Sequence, residues 1–216
     1  MEVLRSLANR ASAVLAAALL LTLVTGCGDG LAPAPDGALT RDETVALAAS
    51  MGIEALAFAG TRRAATQGAA APEGAVPAPE VVTVDFSLRR PCPLGGAVNT
   101  SGSIRVETDG GPPRTEVADV TTTDVHDRCV FLVAPTRISL TGDPEVKTTV
   151  HAASRDGQPW GAQTVTVVGA VLWETDDDRS GRCAIDIFVE ANQDAGTSVV
   201  RGVFCDHTFN VTVTGG

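Results

Sequence analysis

The sequence predicts a mainly β fold: an antiparallel up-and-down meander, as a curved open sheet, a sandwich or a barrel-like sheet, preceded by one N-terminal helix. From Glu80 onward apolar residues recur at every second position, as in Val82, Val84, Phe86 and Leu88, with Thr83, Asp85 and Ser87 between them. That pattern marks a strand with one buried face. It returns in Val165, Val167, Val171 and Trp173, in Cys183, Ile185, Ile187 and Val189, and in Phe209, Val211 and Val213. Turn-forming clusters separate the runs, at residues 109–113, 142–144, 156–157, 176–181 and 194–196. About eight or nine strands fit this spacing. No helical pattern lies between them to make the long crossovers of a parallel sheet.

The chain has 216 residues, 44% hydrophobic and 19% charged, enough for one ordinary domain with extensions. Sixteen Lys plus Arg stand against 26 Asp plus Glu, a net charge of −10. A basic footprint for nucleic acid is thereby excluded, and no nucleic-acid partner is expected. Six Phe, two Trp and no Tyr leave little surface for stacking on sugars or bases.

Arg5 and Arg10 precede an uncharged run, 11–26, that holds Leu15, Leu19, Leu20, Leu21, Leu23 and Val24. It is shorter than the roughly 20 apolar residues of a membrane span and has the length of a secretory signal core. The run ends Val24-Thr25-Gly26-Cys27. This order of positive start, apolar run and small residue before cysteine resembles the lipobox signal of bacterial lipoproteins. The resemblance implies a signal peptide over 1–26 and acylation of Cys27, by palmitate-type chains, as the new N-terminus. Two or more acyl chains anchor a protein stably where one does not. The expected location is therefore the bacterial cell envelope, with the membrane as a partner through Cys27. In that family an Asp directly after the cysteine retains the protein at the inner membrane. Gly28 stands there, so the outer membrane is favoured in a host with two. Cleavage removes Glu2, Arg5 and Arg10, leaving 14 basic and 25 acidic residues, net −11.

Residues 27–39 read as the lipidated cysteine and a flexible tether of mostly Gly, Pro, Ala and Asp. Thr40-Arg41-Asp42-Glu43 has the form of a capping box, and both acids complement a helix N-terminus. Val45, Leu47, Ala48, Met51, Leu56 and Phe58 follow, and Gly60 supplies a stop. The spacing predicts a helix over about 41–59 within an amphipathic segment 40–60, packed on the β domain. Residues 61–79, rich in Ala, Pro and Gly, read as a linker, and 80–216 as the β domain.

Besides Cys27 the chain carries Cys92, Cys129, Cys183 and Cys205. Four cysteines in an exported protein imply two disulfides in one of three pairings. The midpoint of Cys92 and Cys129 falls between Gly110 and Gly111, and that of Cys183 and Cys205 at Asp194, both inside turn signals. Hairpins closed there set each pair opposite across two strands, within disulfide reach. Cys92–Cys129 and Cys183–Cys205 are therefore expected. The absence of any Cys-x-x-Cys pair argues against zinc and against dithiol redox chemistry. The second hairpin, so registered, places Arg201 among apolar neighbours, which requires a bulge or an incompletely buried face.

His126 and His207 each adjoin an aspartate, Asp127 and Asp206, and His151 is the third histidine. Adjacent strand residues point to opposite faces, so neither Asp orients its neighbour's ring, and surface or rim histidines are expected. Neither Gly-x-Ser-x-Gly nor His-Glu-x-x-His occurs. Asp176, Asp178, Ser180 and Gly181 have the spacing of half an EF-hand loop, but its twelfth position is Ile187 and no helices flank it, which leaves a solvated hairpin tip. No catalytic residue, metal ligand or cofactor is expected.

Cys92-Pro93-Leu94-Gly95-Gly96, Ser101-Gly102-Ser103, Cys129, Gly181-Arg182-Cys183 and Val203-Phe204-Cys205 together resemble a group of uncharacterised bacterial envelope lipoproteins. These share a Cys-Pro-x-Gly-Gly start and a late cysteine pair. The resemblance implies the two bridges and the all-β domain, and brings no activity with it. The functional expectation is a non-enzymatic lipoprotein holding a lipid-like ligand on the apolar inner face of a curved sheet, with the helix as a lid. The alternative is an adhesive or assembly module that meets an envelope protein through its outer surface.

Overall fold

The structure, a computed structural model, describes residues 37–48, 50–51, 79–192 and 194–214. The expected signal peptide, Cys27, most of the tether, the last turns of the expected helix and nearly all of the linker lie outside these residues.

Ten antiparallel strands form one open sheet. They are β1 (Glu80–Pro91), β2 (Ala97–Asp109), β3 (Thr115–Asp127), β4 (Cys129–Val133), β5 (Thr136–Arg155), β6 (Gln158–Pro159), β7 (Ala162–Thr175), β8 (Ser180–Asn192), β9 (Thr197–Phe204) and β10 (His207–Thr214). The order is β1-β2-β3-β5-β7-β8-β9-β10, with β4 and β6 also paired to β5. Among the described residues the sheet therefore does not close, and β1 and β10 are its outermost strands. Ten strands replace the eight or nine expected because β4 continues the line of β3 beyond Arg128, which takes a positive φ of 48°, and because β6 is a two-residue return.

The expected turn at Gly142-Asp143-Pro144 is instead an irregularity inside β5, whose register against β7 shifts between Gly142 and Val146. The chain reverses earlier, at residues 134–135 between β4 and β5. A turn signal becomes a bulge where the strands on both sides keep pairing, and β5 is held by β4 and β3 on one side and by β7 on the other.

The alternation read from the sequence fixes the inner face. Register places Val82, Val84, Phe86 and Leu88 on the same side as Val165, Val167, Val171, Trp173 and Cys183. At the end where β4, β5, β7 and β8 meet, this face is sealed around Phe131, Ile138, Leu140, Trp173, Ile185 and Phe204. Each such fully buried side chain stabilises by about 1.5–3 kcal/mol. The helix α1, residues 41–48 and 50–51, covers this sealed end. Leu47 is wholly buried in the cluster, and Ala48 and Met51 pack against it.

The capping box forms as expected. The Thr40 amide donates to a Glu43 carboxylate oxygen at 2.8 Å, and the Glu43 amide donates to Thr40 Oγ1 at 3.2 Å. The same carboxylate receives both terminal nitrogens of Arg179, at 2.7 and 3.1 Å, from the turn between β7 and β8. Asp177 receives the Arg179 Nε, so the acidic hairpin tip is bound up in positioning α1.

Both expected disulfides are present at the sealed end. Neither pair lies directly opposite on hairpin strands, which corrects the route by which they were expected. Cys92 lies beyond the end of β1, in the connection before β2. Ile185 faces Phe204 in the β8–β9 ladder, so Cys205 falls past the strand at a positive φ of 47° and turns back to Cys183. That register differs by one residue from the expected one. It moves Arg201 to the outer face, opposite Phe188, with its guanidinium 4.6 Å from the ring centroid.

Candidate binding face

One row of register partners spans the sheet on its inner face: Phe86, Gly102, Thr122, Thr148, Val167, Ile187, Gly202 and Phe209. A Cβ at Gly102 or Gly202 would run into the backbone of the next strand, at Thr121 and at Asp186. Such close approach is the local geometry of a strand that bends, and Gly202 has a positive φ of 141° besides. At each end of the row a phenylalanine is the glycine's partner in register.

The next row, away from the sealed end, is Val84, Ile104, Val120, Val150, Val165, Val189, Val200 and Val211. Eight strands contribute eight β-branched aliphatic side chains. At about 4.8 Å per strand the row is about 34 Å wide. Its members are half-buried rather than sealed, and Val84 is 50% exposed. One step further out, Val82 is 44% exposed, beside a half-buried Val106. The inner face thus has a sealed half under α1 and a half whose apolar side chains keep contact with solvent.

A polar group sits on the inner face where β1, β2 and β3 adjoin the sealed half. Thr100 donates its hydroxyl to Asp124, its partner in register. His126 flanks Val98, with Arg90 on the other side. His126 is 4% exposed, and its Nδ1 lacks a hydrogen-bond partner. Burial holds its pKa below the usual histidine value; Asp124 opposes this shift and Arg90 adds to it. The expectation of surface or rim histidines is corrected here, because β3 carries His126 into the layer under the bulge of β5.

His151 is exposed on the outer face and takes its carboxylate from across the sheet, with Nδ1 2.7 Å from an oxygen of Asp119. Asp119 lies within 3.9 Å of Arg105, which also binds Glu107. The aspartate that orients this ring is 32 residues away in the chain and invisible to a search among neighbours.

Alternation alone revealed the contributions of β1, β7, β8 and β10 to the inner face. It missed Ile104, Val120, Val150 and Val200, because Gly102, Thr122, Thr148 and Gly202 interrupt the apolar period around them. Among the described residues no set of three or more His, Cys, Asp or Glu side chains is arranged to hold a metal ion. No helix among them is long and apolar enough to cross a membrane. No family model, curated protein or solved structure matches the chain.

Proposed function

We propose that this chain is a lipid-anchored bacterial envelope lipoprotein of binding rather than catalytic role, which holds a hydrophobic ligand against the open half of its inner face. The observation that carries the reading is the eight-residue aliphatic row, continuous from β1 to β10 yet not sealed. A contiguous apolar surface left in contact with water marks a place where something apolar binds. The capped helix covers only the other half, and Arg179 holds it there, so the open half is the part left to a ligand. The lipobox sequence ending at Cys27 supplies the anchor. It puts the domain beside a bilayer, the outer membrane where the host has two, which is the source of ligands of this chemistry.

A second reading, an assembly module that meets an envelope protein, is favoured by a different observation. On the outer face at the sealed end, Val168, Leu172 and Val203 are exposed beside the Arg182–Asp143 ion pair.

The two readings separate in native mass spectrometry of the Cys27→Ser chain secreted by a bacterial host. The carrier reading expects a bound mass that denaturation releases as lipid, and its loss in a Val150→Glu, Val165→Glu variant. A clean apo mass, or a bound lipid that survives this variant, overturns it. Loss of partner capture by Leu172→Glu with lipid content unchanged would favour the assembly reading.

A further inference from the structure

The open half of the inner face ends in an acidic rim, and that rim selects what the face can hold. Along β3 and β5 the register pairs Val120 with Val150, Ala118 with Ala152 and Glu116 with Ser154. Behind the valines Thr122 faces Thr148, each 6% exposed, where the sealed half begins. From these threonines to Glu116 is six residues of strand, about 20 Å. Side chains shrink from valine to alanine along this line, while β1 and β2 flank the alanines with Val82 and Val106 in the same row. The line is a shallow trough, long enough for one acyl chain, which spans about 15 Å in a bilayer leaflet.

An acyl chain laid there with its tail at the threonines has its head at the last row, Glu80, Thr108, Glu116 and Ser154. That row offers carboxylates and hydroxyls and no basic side chain. The strand ends and turns around it, residues 79–81, 108–117, 153–163 and 191–198, hold five acids and only two bases, Arg114 and Arg155. Both bases are engaged: Arg114 lies 3.1 Å from Glu116, and Arg155 is stacked 3.9 Å from the centroid of the Trp160 ring. Glu80 is exposed at the mouth of the trough. A carboxylate or phosphate head would face this net negative charge, whereas a cationic head meets charge of opposite sign at the edge of an apolar surface. We propose that the ligand of the inner face is a long-chain amphiphile with an ammonium-type head, its chain lying along β3 and β5 and its head among Glu80, Thr108 and Glu116. The inference rests on the reading of the open half as a ligand face and adds the chemical class of the ligand to it.

Isothermal titration calorimetry of the Cys27→Ser chain, freed of co-purified lipid, with dodecylammonium, dodecanol and dodecanoate tests it, since the three share a chain and differ in head charge. Dodecylammonium is expected to bind about tenfold or more tighter than dodecanoate, with dodecanol between them. The gap narrows as salt is raised from about 0.01 M to about 1 M. Glu80→Gln with Asp109→Asn, both at exposed positions, weakens the ammonium and leaves dodecanol unchanged. Ala152→Phe fills the trough and weakens all three; Ala118→Leu is the second variant should the larger side chain prevent folding. Dodecanoate or dodecanol binding as tightly as dodecylammonium overturns the head-group assignment while the face stays a ligand site. So does an ammonium preference that survives Glu80→Gln with Asp109→Asn. Binding of none of the three overturns this inference and the ligand reading together.

Discussion

Phe86 stands directly opposite Gly102, and at the far end of the same row Phe209 stands opposite Gly202. The two glycines are where the backbones of neighbouring strands come too close for any side chain. This row divides the inner face into its sealed and open halves. Such close approach at both flanks is the geometry of strands that bend there.

Substitution along the row is therefore expected to cost more than its modest burial implies. Gly202→Ala combines a positive φ with a collision at the Asp186 carbonyl, and Gly102→Ala collides with that of Thr121. Each is expected to destabilise by about 2 kcal/mol or more, and Phe86→Ala by about 1–3 kcal/mol. Urea midpoints measure all three. Losses under 0.5 kcal/mol, as for ordinary surface positions, would show that the row does not set the bend.

The contact between Glu43 and Arg179 makes stability depend on acid. The Arg179 hydrogen bonds hold the Glu43 carboxyl at about 2, against its usual 4.5, burial working the other way and Thr40 adding to the shift. The folded value is lower than the unfolded one, so this stabilisation is complete above pH 4.5 and lost as the pH falls through about 2. Glu43→Gln is expected to cost about 1–2 kcal/mol at neutral pH and to flatten the acid limb of the stability profile. An unchanged slope between pH 4.5 and 2 would remove the pair from the account of how α1 is held.

His126 acts in a different window. Burial keeps it neutral in the fold below its ordinary 6.5, while the unfolded chain takes up a proton. Its share of the pH dependence is absent above 6.5, and stability falls as the pH drops below that value. His126→Leu removes the unpartnered ring nitrogen and is expected to flatten the profile below pH 6.5. Titration of the ring by NMR checks the cause directly, since an ordinary pKa in the folded chain would contradict the burial.

Arg201 reports on the β8–β9 register. On the outer face over Phe188, its truncation to Ala is expected to cost about 0.5–1 kcal/mol. In the register that sets Cys183 directly opposite Cys205, the same change would remove a charge from the inner face and stabilise the protein. The sign of the change in unfolding midpoint decides between them.

Much of this architecture was written locally. The alternation Val82-Thr83-Val84-Asp85-Phe86 assigns faces because successive strand side chains point to opposite sides. Thr40 and Glu43 cap α1 through contacts three residues apart, and turns near the midpoints of the cysteine pairs pointed to the right partners, although neither pair lies directly opposite across a hairpin. Tertiary structure alone decided the rest. Gly142-Asp143-Pro144 has the composition of a turn, and it became a bulge because β3, β4 and β7 hold β5 on both sides. Cys183 and Cys205 pair across a ladder shifted by one residue, a shift that no local pattern contains and that carries Arg201 from one face to the other. His126 is buried by strands far from it in sequence, and Arg179 reaches Glu43 across 136 residues. The difference has one physical origin. Periodicity and capping are properties of a few consecutive residues, whereas register, burial and edge exposure depend on which distant strands lie alongside.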